Sequence, residues 1–362
     1  MHYAGVDLHK DSATFSVRDE SGRVILSRAC STRQKDLSAM FLSLPRPFEL
    51  GVEATYNYYY FVDMAAEYAI RVRLGHPLYI KAFARRHKKT DKIDAELISW
   101  LLCKRIFPDV HIASRPAREA KEKIRLYMSL VGERTRAIAR TRAFCDRNGM
   151  PVKEGVGLTT LKGVRGVTTM MWDEKQRGVV EAYLKQIEFL TREINKMRSQ
   201  MKKAVDADED MRRIATIPGM DVVGAFIVRA EIDDVSRFKN SARFVAYCGL
   251  APKTVSSAGK RIRAGLMQNA SHRLKWIFIQ NAAVYARGDT RAGQRWLEKT
   301  KKTNATKARL DAARRLCKIT YTILKEKRRW LKAVHCAKAA QRAPLSKESQ
   351  GRQTENASPC TV

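Results

Sequence analysis

Three short segments with strand character lie within the first thirty residues, and they constrain the fold more than any other feature of the chain. Residues 2–8 (HYAGVDL) form an apolar run, and residues 13–19 (ATFSVRD) alternate apolar with polar side chains. Residues 23–29 (RVILSRA) follow a turn-like Glu-Ser-Gly. Period-two alternation is typical of strands, and short turns between strands favour hairpins. The chain is therefore predicted to begin with a three-stranded antiparallel meander.

Helical and extended segments alternate after this meander. DLSAMFLSL and YYFVDMAAEYAI have helical periodicity, whereas residues 48–53 (FELGVE) and the later RVRLGH have strand character. A meander followed by helix, strand, helix and strand predicts a mixed sheet with helices packed against it. This order is the ribonuclease-H pattern. We therefore predict an α/β ribonuclease-H-like (RuvC-like) domain over residues 1–114.

A basic helical region is predicted over residues 115–209, and its last helix carries the most regular apolar pattern of the chain. Steps of three and four residues are those of a heptad seam, and we expect a helical coiled-coil linker here. The seam either packs on the chain's own core or forms a helix hairpin or an intermolecular coiled coil, which would make the protein oligomeric. Its members are Val180, Tyr183, Ile187, Leu190, Ile194, Met197, Met201 and Ala204.

Residues 210–336 are predicted to form a mainly α C-terminal domain. Its IPGMD turn resembles a helix–hairpin–helix, whose exposed amides hold a phosphate without reading sequence. A plain turn between two helices explains the same residues equally well. The polar residues 337–362 are predicted to be disordered.

Charge is the dominant compositional feature. The 362 residues include 70 Lys and Arg against 37 Asp and Glu, a formal charge of +33. Such a protein is expected to bind a polyanion, with nucleic acid ahead of an anionic membrane. Residues 291–332 alone carry 15 basic and 3 acidic residues, together with Trp296, Tyr321 and Trp330. These helices are predicted to contact a DNA or RNA backbone, or else they present only a solvated face.

The expected compartment is the cytoplasm. The seven cysteines are scattered without a CxxC pair, which favours reduced thiols over a disulfide framework or a zinc site. No run of 18 apolar residues is present, and the first residues lack the apolar stretch of a secretory signal. A membrane is therefore not among the expected partners.

Four acidic residues stand out in this basic chain. Asp7 and Glu53 end two predicted strands, in GVD and GVE, and Asp91 and Asp94 share one helix face in KTDKIDA. In a ribonuclease-H-like sheet, the first and fourth strands lie side by side, so these carboxylates are expected to cluster. An acid alone after a strand is more often a turn or cap residue, and Asp91 and Asp94 are also typical of a helix start. A cluster of four, however, repels itself unless it holds hard divalent cations, and we predict Mg²⁺, with Mn²⁺ as the alternative.

The same segments resemble a known family. GVDLHKDSATFSV, GVEATYNYYY and KTDKIDAELI are similar to the N-terminal half of DEDD-type transposases of the insertion-sequence 110/1111 group. IPGMDVVGAFIVRAEI and RFKNSARFVAYCGLAPKTVSSAGK are similar to the C-terminal half. The resemblance covers nearly the whole chain. It implies a transposase that cleaves and rejoins DNA strands.

The resemblance also implies a nucleophile. Family members attack the DNA phosphate with a serine of the C-terminal domain and form a phosphoserine linkage, assisted by the metal of the acidic site. By position, Ser257 matches that serine, and Ser256 is the runner-up. Basic residues near this serine pair and before the acidic helix are candidate nucleic-acid contacts: Lys253, Lys260, Arg261, Arg263, Arg85, Arg86, Lys88 and Lys89.

The implied partners are donor and target DNA and a guide (bridge) RNA encoded by the element. The resemblance further implies a homo-oligomer, a dimer or tetramer with sites completed between subunits, in the bacterial cytoplasm at the nucleoid. Two alternatives stay open. One is a RuvC-like junction-resolving nuclease without a covalent intermediate. The other is an inactive nucleic-acid-binding remnant, because Ala258, Gln268 and Ala270 depart from the family pattern.

Overall fold

The computed structural model describes residues 1–84, 90–257, 260–266, 270–287 and 291–330; for residues 253–264, 287, 291–294 and 297 it describes the backbone alone. The chain divides into two compact units, Met1–Ala113 and Ser114–Val362.

The first unit is built on a six-stranded mixed sheet. Its strands stand in the spatial order β3-β2-β1-β4-β5-β6. Strand β1 pairs antiparallel with β2 and parallel with β4, β3 is antiparallel to β2, β5 is parallel to β4, and β6 is antiparallel to β5. The predicted meander and the predicted pairing of the first and fourth strands are both confirmed. The strands are β1 (His2–Leu8), β2 (Ser12–Arg18), β3 (Val24–Ser31), β4 (Phe48–Glu53), β5 (Val72–Gly75) and β6 (Asp109–Val110).

Helices cover both faces of this sheet. One face packs against α1 (Gln34–Ser43) and α2 (Tyr58–Glu67), where Phe41 and Phe61 meet edge to face at 5.4 Å between ring centroids. The opposite face packs against α3 (Pro77–Phe83) and α4 (Asp91–Cys103). Burial of apolar side chains on both faces provides the main driving force for this unit.

The position of α4 on the sheet is determined by two glycines. A β-carbon at Gly5 of β1 would lie 2.3 Å from the carbonyl oxygen of Ala95, and one at Gly51 of β4 would lie 2.8 Å from Leu102. The atom near Gly5 belongs to the backbone of α4, so only glycine permits this approach, whereas the atom near Gly51 is the end of the Leu102 side chain. The helix therefore lies directly across β1 and β4.

The second unit is mainly helical, as predicted. A single hairpin of strands interrupts its nine helices within the described residues. The elements are α5 (Arg115–Arg147), α6 (Leu161–Thr168), α7 (Glu174–Ala207), α8 (Glu209–Ala215), α9 (Val222–Ile232), α10 (Ser241–Tyr247), β7 (Pro252–Ser257), β8 (Lys260–Leu266), α11 (His272–Arg287), α12 (Arg291–Lys302) and α13 (Ala305–Lys325).

The apolar seam of α7 is buried within the chain. Helix α7 packs antiparallel on α5, because Ile194 and its neighbours meet Ile124 near the start of α5, whereas Ile187 and its neighbours meet Cys145 near its end. Of the interpretations left open, the structure contains both intrachain ones, the helix hairpin with α5 and packing on the chain's own core. The seam is therefore covered by other parts of the same chain. It is not a free surface on which a second chain could form a coiled coil.

The predicted seam is wrong at two positions. The structure buries Leu184 and Val205 in place of Tyr183 and Ala204, which are only half-buried. A straight helix repeats every 3.6 residues, so a strict heptad drifts around its surface by about 20° per repeat. The buried stripe follows the helix rather than the heptad. Its residues are Val180, Leu184, Ile187, Leu190, Ile194, Met197, Met201 and Val205.

The C-terminal half of α7 shares one hydrophobic core with the helices from α8 to α13. The expected boundary between residues 209 and 210 lies within this unit, in the first turn of α8. The predicted disordered tail, residues 337–362, lies outside the described residues. In the portion that is described, no helix has both the length and the apolar character needed to cross a membrane.

Candidate active site

Two of the predicted acids end neighbouring parallel strands. Val6 of β1 pairs with Val52 of β4, so Asp7 and Glu53 are the next residues along the two strands. Side chains alternate between the faces of a sheet. Asp7 therefore faces the same side as Gly5, and Glu53 the same side as Gly51, which is the side that α4 covers. In both the GVD and GVE motifs the glycine lies against α4, and the acid two residues later faces the same side of the sheet.

The other two acids lie in the first turn of α4. Thr90 caps this helix, because its hydroxyl accepts a hydrogen bond from the backbone N–H of Ile93 at 3.3 Å. The partial positive charge of a helix N-terminus favours acids at this position. Because Ala95 lies against Gly5, the preceding turn, with Asp91 and Asp94, lies beside Asp7. The structure thus brings Asp7 and Asp91 together, and Asp94 is close enough to raise the pKa of Asp7. Asp94 and Glu53 are not part of the group of ligand atoms within 4.8 Å of one another, and Glu53 is placed only by its position at the end of the neighbouring strand.

A histidine that the sequence analysis missed joins these acids. His9 Nε2 lies 3.1 Å from Asp7 Oδ2 and 3.3 Å from Asp91 Oδ1. One ligand atom from each of Asp7, His9 and Asp91 lies within 4.8 Å of the other two. The Asp-Leu-His spacing directly after a strand was the available signal, but it gains meaning only once α4 is placed against β1.

The turn that carries His9 is held from two sides. The backbone N–H of His9 donates to the carbonyl of Ser12 at 2.9 Å. The side chain of Asn57, after β4, donates to the carbonyl oxygen of His9 at 2.6 Å. Thr55 in turn donates to the Asn57 side-chain oxygen at 2.9 Å. The segments that follow β1 and β4 are therefore joined at the acidic cluster.

Asp7 is the most buried group of the cluster. Its side chain is 10% exposed, against 58% for Asp91. Burial raises the pKa of Asp7 above its usual value, and the nearby carboxylates of Asp94 and Asp91 raise this pKa further, while His9 partly opposes the rise. A buried carboxylate among like charges is a group that a cation would stabilise.

The serine pair lies in the second unit. Ser256 and Ser257 are the last residues of β7, and they pair with Arg261 and Lys260 of β8. Both serines therefore belong to a strand of an antiparallel hairpin. Lys253 and Arg263 also lie in this hairpin. Ala258, Gly259, Gln268, Arg85, Arg86, Lys88 and Lys89 lie outside the described residues.

A buried ion pair anchors the helix that follows the hairpin. Arg273 of α11 donates to Glu231 at 2.9 Å, and the hydroxyl of Ser271 contacts the same carboxylate at 3.2 Å. The Glu231 side chain is only 7% exposed. Tyr247, at the end of α10, donates to the Glu231 carbonyl at 3.1 Å. These contacts fix the start of α11 against α9 and α10.

The predicted phosphate-binding turn packs into its own unit. The N–H of Met220 donates to the carbonyl of Ile217 at 2.9 Å, so this amide is already used within the turn. A β-carbon at Gly219 would lie 2.8 Å from the carbonyl oxygen of Asn281 in α11. These contacts favour the plain helix turn over a helix–hairpin–helix.

The aromatic residues of the basic C-terminal helices are core residues. Tyr321 is buried, and its hydroxyl donates to the Phe238 carbonyl at 3.2 Å. Trp296 and Trp330 are half-buried against the same hydrophobic cluster. Burial therefore removes the ring of Tyr321 from base stacking, whereas Trp296 and Trp330 are only partly covered. For exposed lysines nearby, such as Lys301, Lys302 and Lys307, contact with a DNA or RNA backbone stays a prediction.

Two comparisons with known families match this architecture. Residues 4–148 match the DEDD-type model of IS110 transposases, described as Transposase, and residues 211–297 match the model described as Transposase IS116/IS110/IS902 family. Together the two matches cover more than half of the chain and include all four acids and both serines. The chain belongs to the IS110 family of transposases. It is therefore a DNA transposase, and its DEDD-type domain implies the use of a divalent metal.

Two relatives are similar over most of the transposase. The transposase for insertion sequence element IS1328 of Yersinia enterocolitica is 23% identical over 289 residues, which cover 78% of this chain and 83% of the relative. The transposase for insertion sequence element IS1111A of Coxiella burnetii is 23% identical over 295 residues, covering 78% of this chain and 77% of the relative.

Proposed function

We propose that this transposase cleaves and rejoins DNA by serine attack on a phosphate, assisted by Mg²⁺ held at Asp7, Glu53, Asp91 and Asp94. The observation that carries the proposal is the convergence of Asp7 and Asp91 at the edge where Glu53 and the first turn of α4 also lie. The metal identity, the nucleophile and the guide RNA are parts of this proposal.

The donor set fits a hard divalent cation. Carboxylate oxygens are the ligands that Mg²⁺ and Mn²⁺ prefer, and like charges around the buried Asp7 favour a cation among them. When bound, such a cation neutralises charge on the scissile phosphate and so eases nucleophilic attack. The acids of the chain hold and orient it, and Thr90 and Asn57 fix the two segments that carry them.

Ser257 is the proposed nucleophile, with Ser256 as the second choice. Its hydroxyl oxygen forms a bond to phosphorus, the bond to one bridging oxygen breaks, and that oxygen leaves as the hydroxyl of a strand end. The serine proton passes to solvent or to a nearby base. Rejoining is the reverse, because a strand hydroxyl attacks the phosphoserine and restores the serine. The phosphoester conserves the bond energy, so ligation needs no nucleotide triphosphate.

The basic surface supports the proposed partners. A formal charge of +33 favours binding of donor and target DNA together with a structured guide RNA. Lys253, Lys260, Arg261 and Arg263 belong to the serine hairpin, which supports a role in phosphate contact. A homo-oligomer, dimer or tetramer, is part of the proposal, and it uses a surface other than the covered seam of α7.

The decisive experiment incubates the full chain with its flanking RNA, Mg²⁺ and end-labelled donor DNA. We expect a labelled band that migrates with denatured protein for the native chain and for Ser256→Ala. Ser257→Ala is expected to lose the band and strand cleavage together. Asp7→Asn is expected to lose both as well.

The second candidate, a junction nuclease, needs only the acids. It predicts that Ser257→Ala still cuts DNA and that no protein-linked label forms. An inactive remnant predicts neither product with any variant. Each result excludes the serine mechanism.

A further inference from the structure

We propose that His9 is a nitrogen ligand of the divalent metal, which makes the donor set a mixture of imidazole and carboxylates. This inference rests on the proposed metal site at the acidic cluster. It adds a residue that neither the four-acid pattern nor the family matches assign to that site.

The spacing of the donor atoms supports this role. In an octahedral site with bonds of about 2.1 Å, neighbouring ligand atoms lie about 3 Å apart. His9 Nε2 lies 3.1 Å from Asp7 Oδ2 and 3.3 Å from Asp91 Oδ1. The two distances match adjacent ligand positions around one ion. The imidazole nitrogen would therefore hold the ion together with the two carboxylates.

The backbone places His9 at the cluster independently of its side chain. Its N–H is bonded to Ser12, and its carbonyl accepts the side-chain N–H of Asn57. The side chain is half exposed, so an ion that arrives from solvent meets the imidazole together with Asp91. The buried Asp7 lies behind them.

A nitrogen ligand changes which metals the site prefers. Mg²⁺ favours oxygen donors, whereas imidazole suits transition metals, and affinity rises from Mn²⁺ onward along the first row. A mixed donor set therefore increases the preference for Mn²⁺ over Mg²⁺ relative to carboxylates alone. The rival interpretation is that His9 only pairs with Asp7 and Asp91 and leaves the site when a cation binds.

Pulsed electron paramagnetic resonance on the Mn²⁺-bound full chain separates these interpretations. We expect modulation from a directly bound nitrogen, and we expect it to change when the histidines are labelled with ¹⁵N. His9→Gln removes this signal and weakens Mn²⁺ binding about tenfold, with a smaller loss for Mg²⁺. His111→Gln, an exposed histidine of the same unit, leaves both unchanged.

The outcomes also distinguish this inference from the proposed function. Mn²⁺ bound to the native chain in an Asp7-dependent manner, but without nitrogen modulation, overturns the role of His9 and leaves the acidic site in place. A native chain that binds no Mn²⁺, or that binds it equally well as Asp7→Asn, overturns the proposed site and the inference with it. The spectrum of the labelled native chain decides the question even when His9→Gln does not fold.

Discussion

Gly5 of β1 and Ala95 of α4 are in direct backbone contact, since a β-carbon at Gly5 would lie 2.3 Å from the Ala95 carbonyl oxygen and equally close to the N–H nitrogen of Ser99. This contact sets the distance between the strand that carries Asp7 and the helix that begins with Asp91. The geometry of the acidic cluster therefore depends on a residue without a side chain.

Gly5→Ala is expected to push α4 away from the sheet. We expect a loss of about 1–3 kcal/mol in the free energy of unfolding, the usual range for overpacking, together with weaker Mn²⁺ binding. Urea denaturation and Mn²⁺ titration measure the two effects. Gly178→Ala is the control, because no atom lies within 4 Å of a β-carbon there, and in a helix it stabilises by up to about 1 kcal/mol. An unchanged midpoint and affinity for Gly5→Ala would show that the contact does not position the acids.

Asp7→Asn is expected to stabilise the chain at neutral pH without divalent metal. The pKa of Asp7 is raised in the folded chain, so the fold holds this proton more tightly than the unfolded chain does. The resulting stability is present below the ordinary pKa of 3.8 and is lost as the pH rises through the folded-state value. At neutral pH the ionised group destabilises the fold, and its removal is expected to add on the order of 1 kcal/mol.

Denaturation in EDTA across a pH series measures this effect. The stability that Asp7→Asn gains over the native chain should shrink as the solution is acidified toward the ordinary pKa of aspartate. Added Mg²⁺ should stabilise the native chain but not Asp7→Asn, because ligand binding to the folded state shifts the unfolding equilibrium. A variant that is less stable than the native chain in EDTA at neutral pH contradicts the prediction.

Asn57→Ala should loosen the turn that carries His9, because it removes the 2.6 Å bond to the His9 carbonyl. Loss of such a supporting contact typically lowers metal affinity by about tenfold, and strand cleavage should fall with it. Asn148→Ala is the matched control. It removes a comparable 2.7 Å bond to the Phe144 carbonyl in the second unit. Equal Mn²⁺ affinities for the two variants would rule out a supporting role for Asn57.

Arg273→Met should destabilise the second unit by about 3 kcal/mol, because it leaves the buried carboxylate of Glu231 without its cation. The double variant with Glu231→Gln should recover part of this loss. Arg115→Met serves as control, since its pair with Glu119 at 3.5 Å is exposed and contributes at most about 1 kcal/mol. Urea denaturation compares the three, and equal midpoints for Arg273→Met and Arg115→Met would contradict a structural role for the buried pair.

Much of the first unit follows from local sequence patterns. The period-two segments around Val6 and Phe15, and the helical periodicity of DLSAMFLSL, predict elements that the structure contains. Asp7, Glu53 and the pair at Asp91 and Asp94 were identified from their positions at the ends of those elements. Local periodicity is encoded in contiguous residues, and an acid at the end of a buried strand remains visible without any knowledge of packing.

Other features depend on contacts between distant segments. His9 reaches Asp91 across 82 positions only because Gly5 lets α4 lie against β1. The choice of Leu184 over Tyr183 in the buried stripe of α7 depends on how that helix lies on α5. Local residue patterns are thus sufficient to predict the elements and the acids near their ends. Which side chains meet depends on the folded arrangement, because distances between segments are set by close packing and not by spacing along the chain.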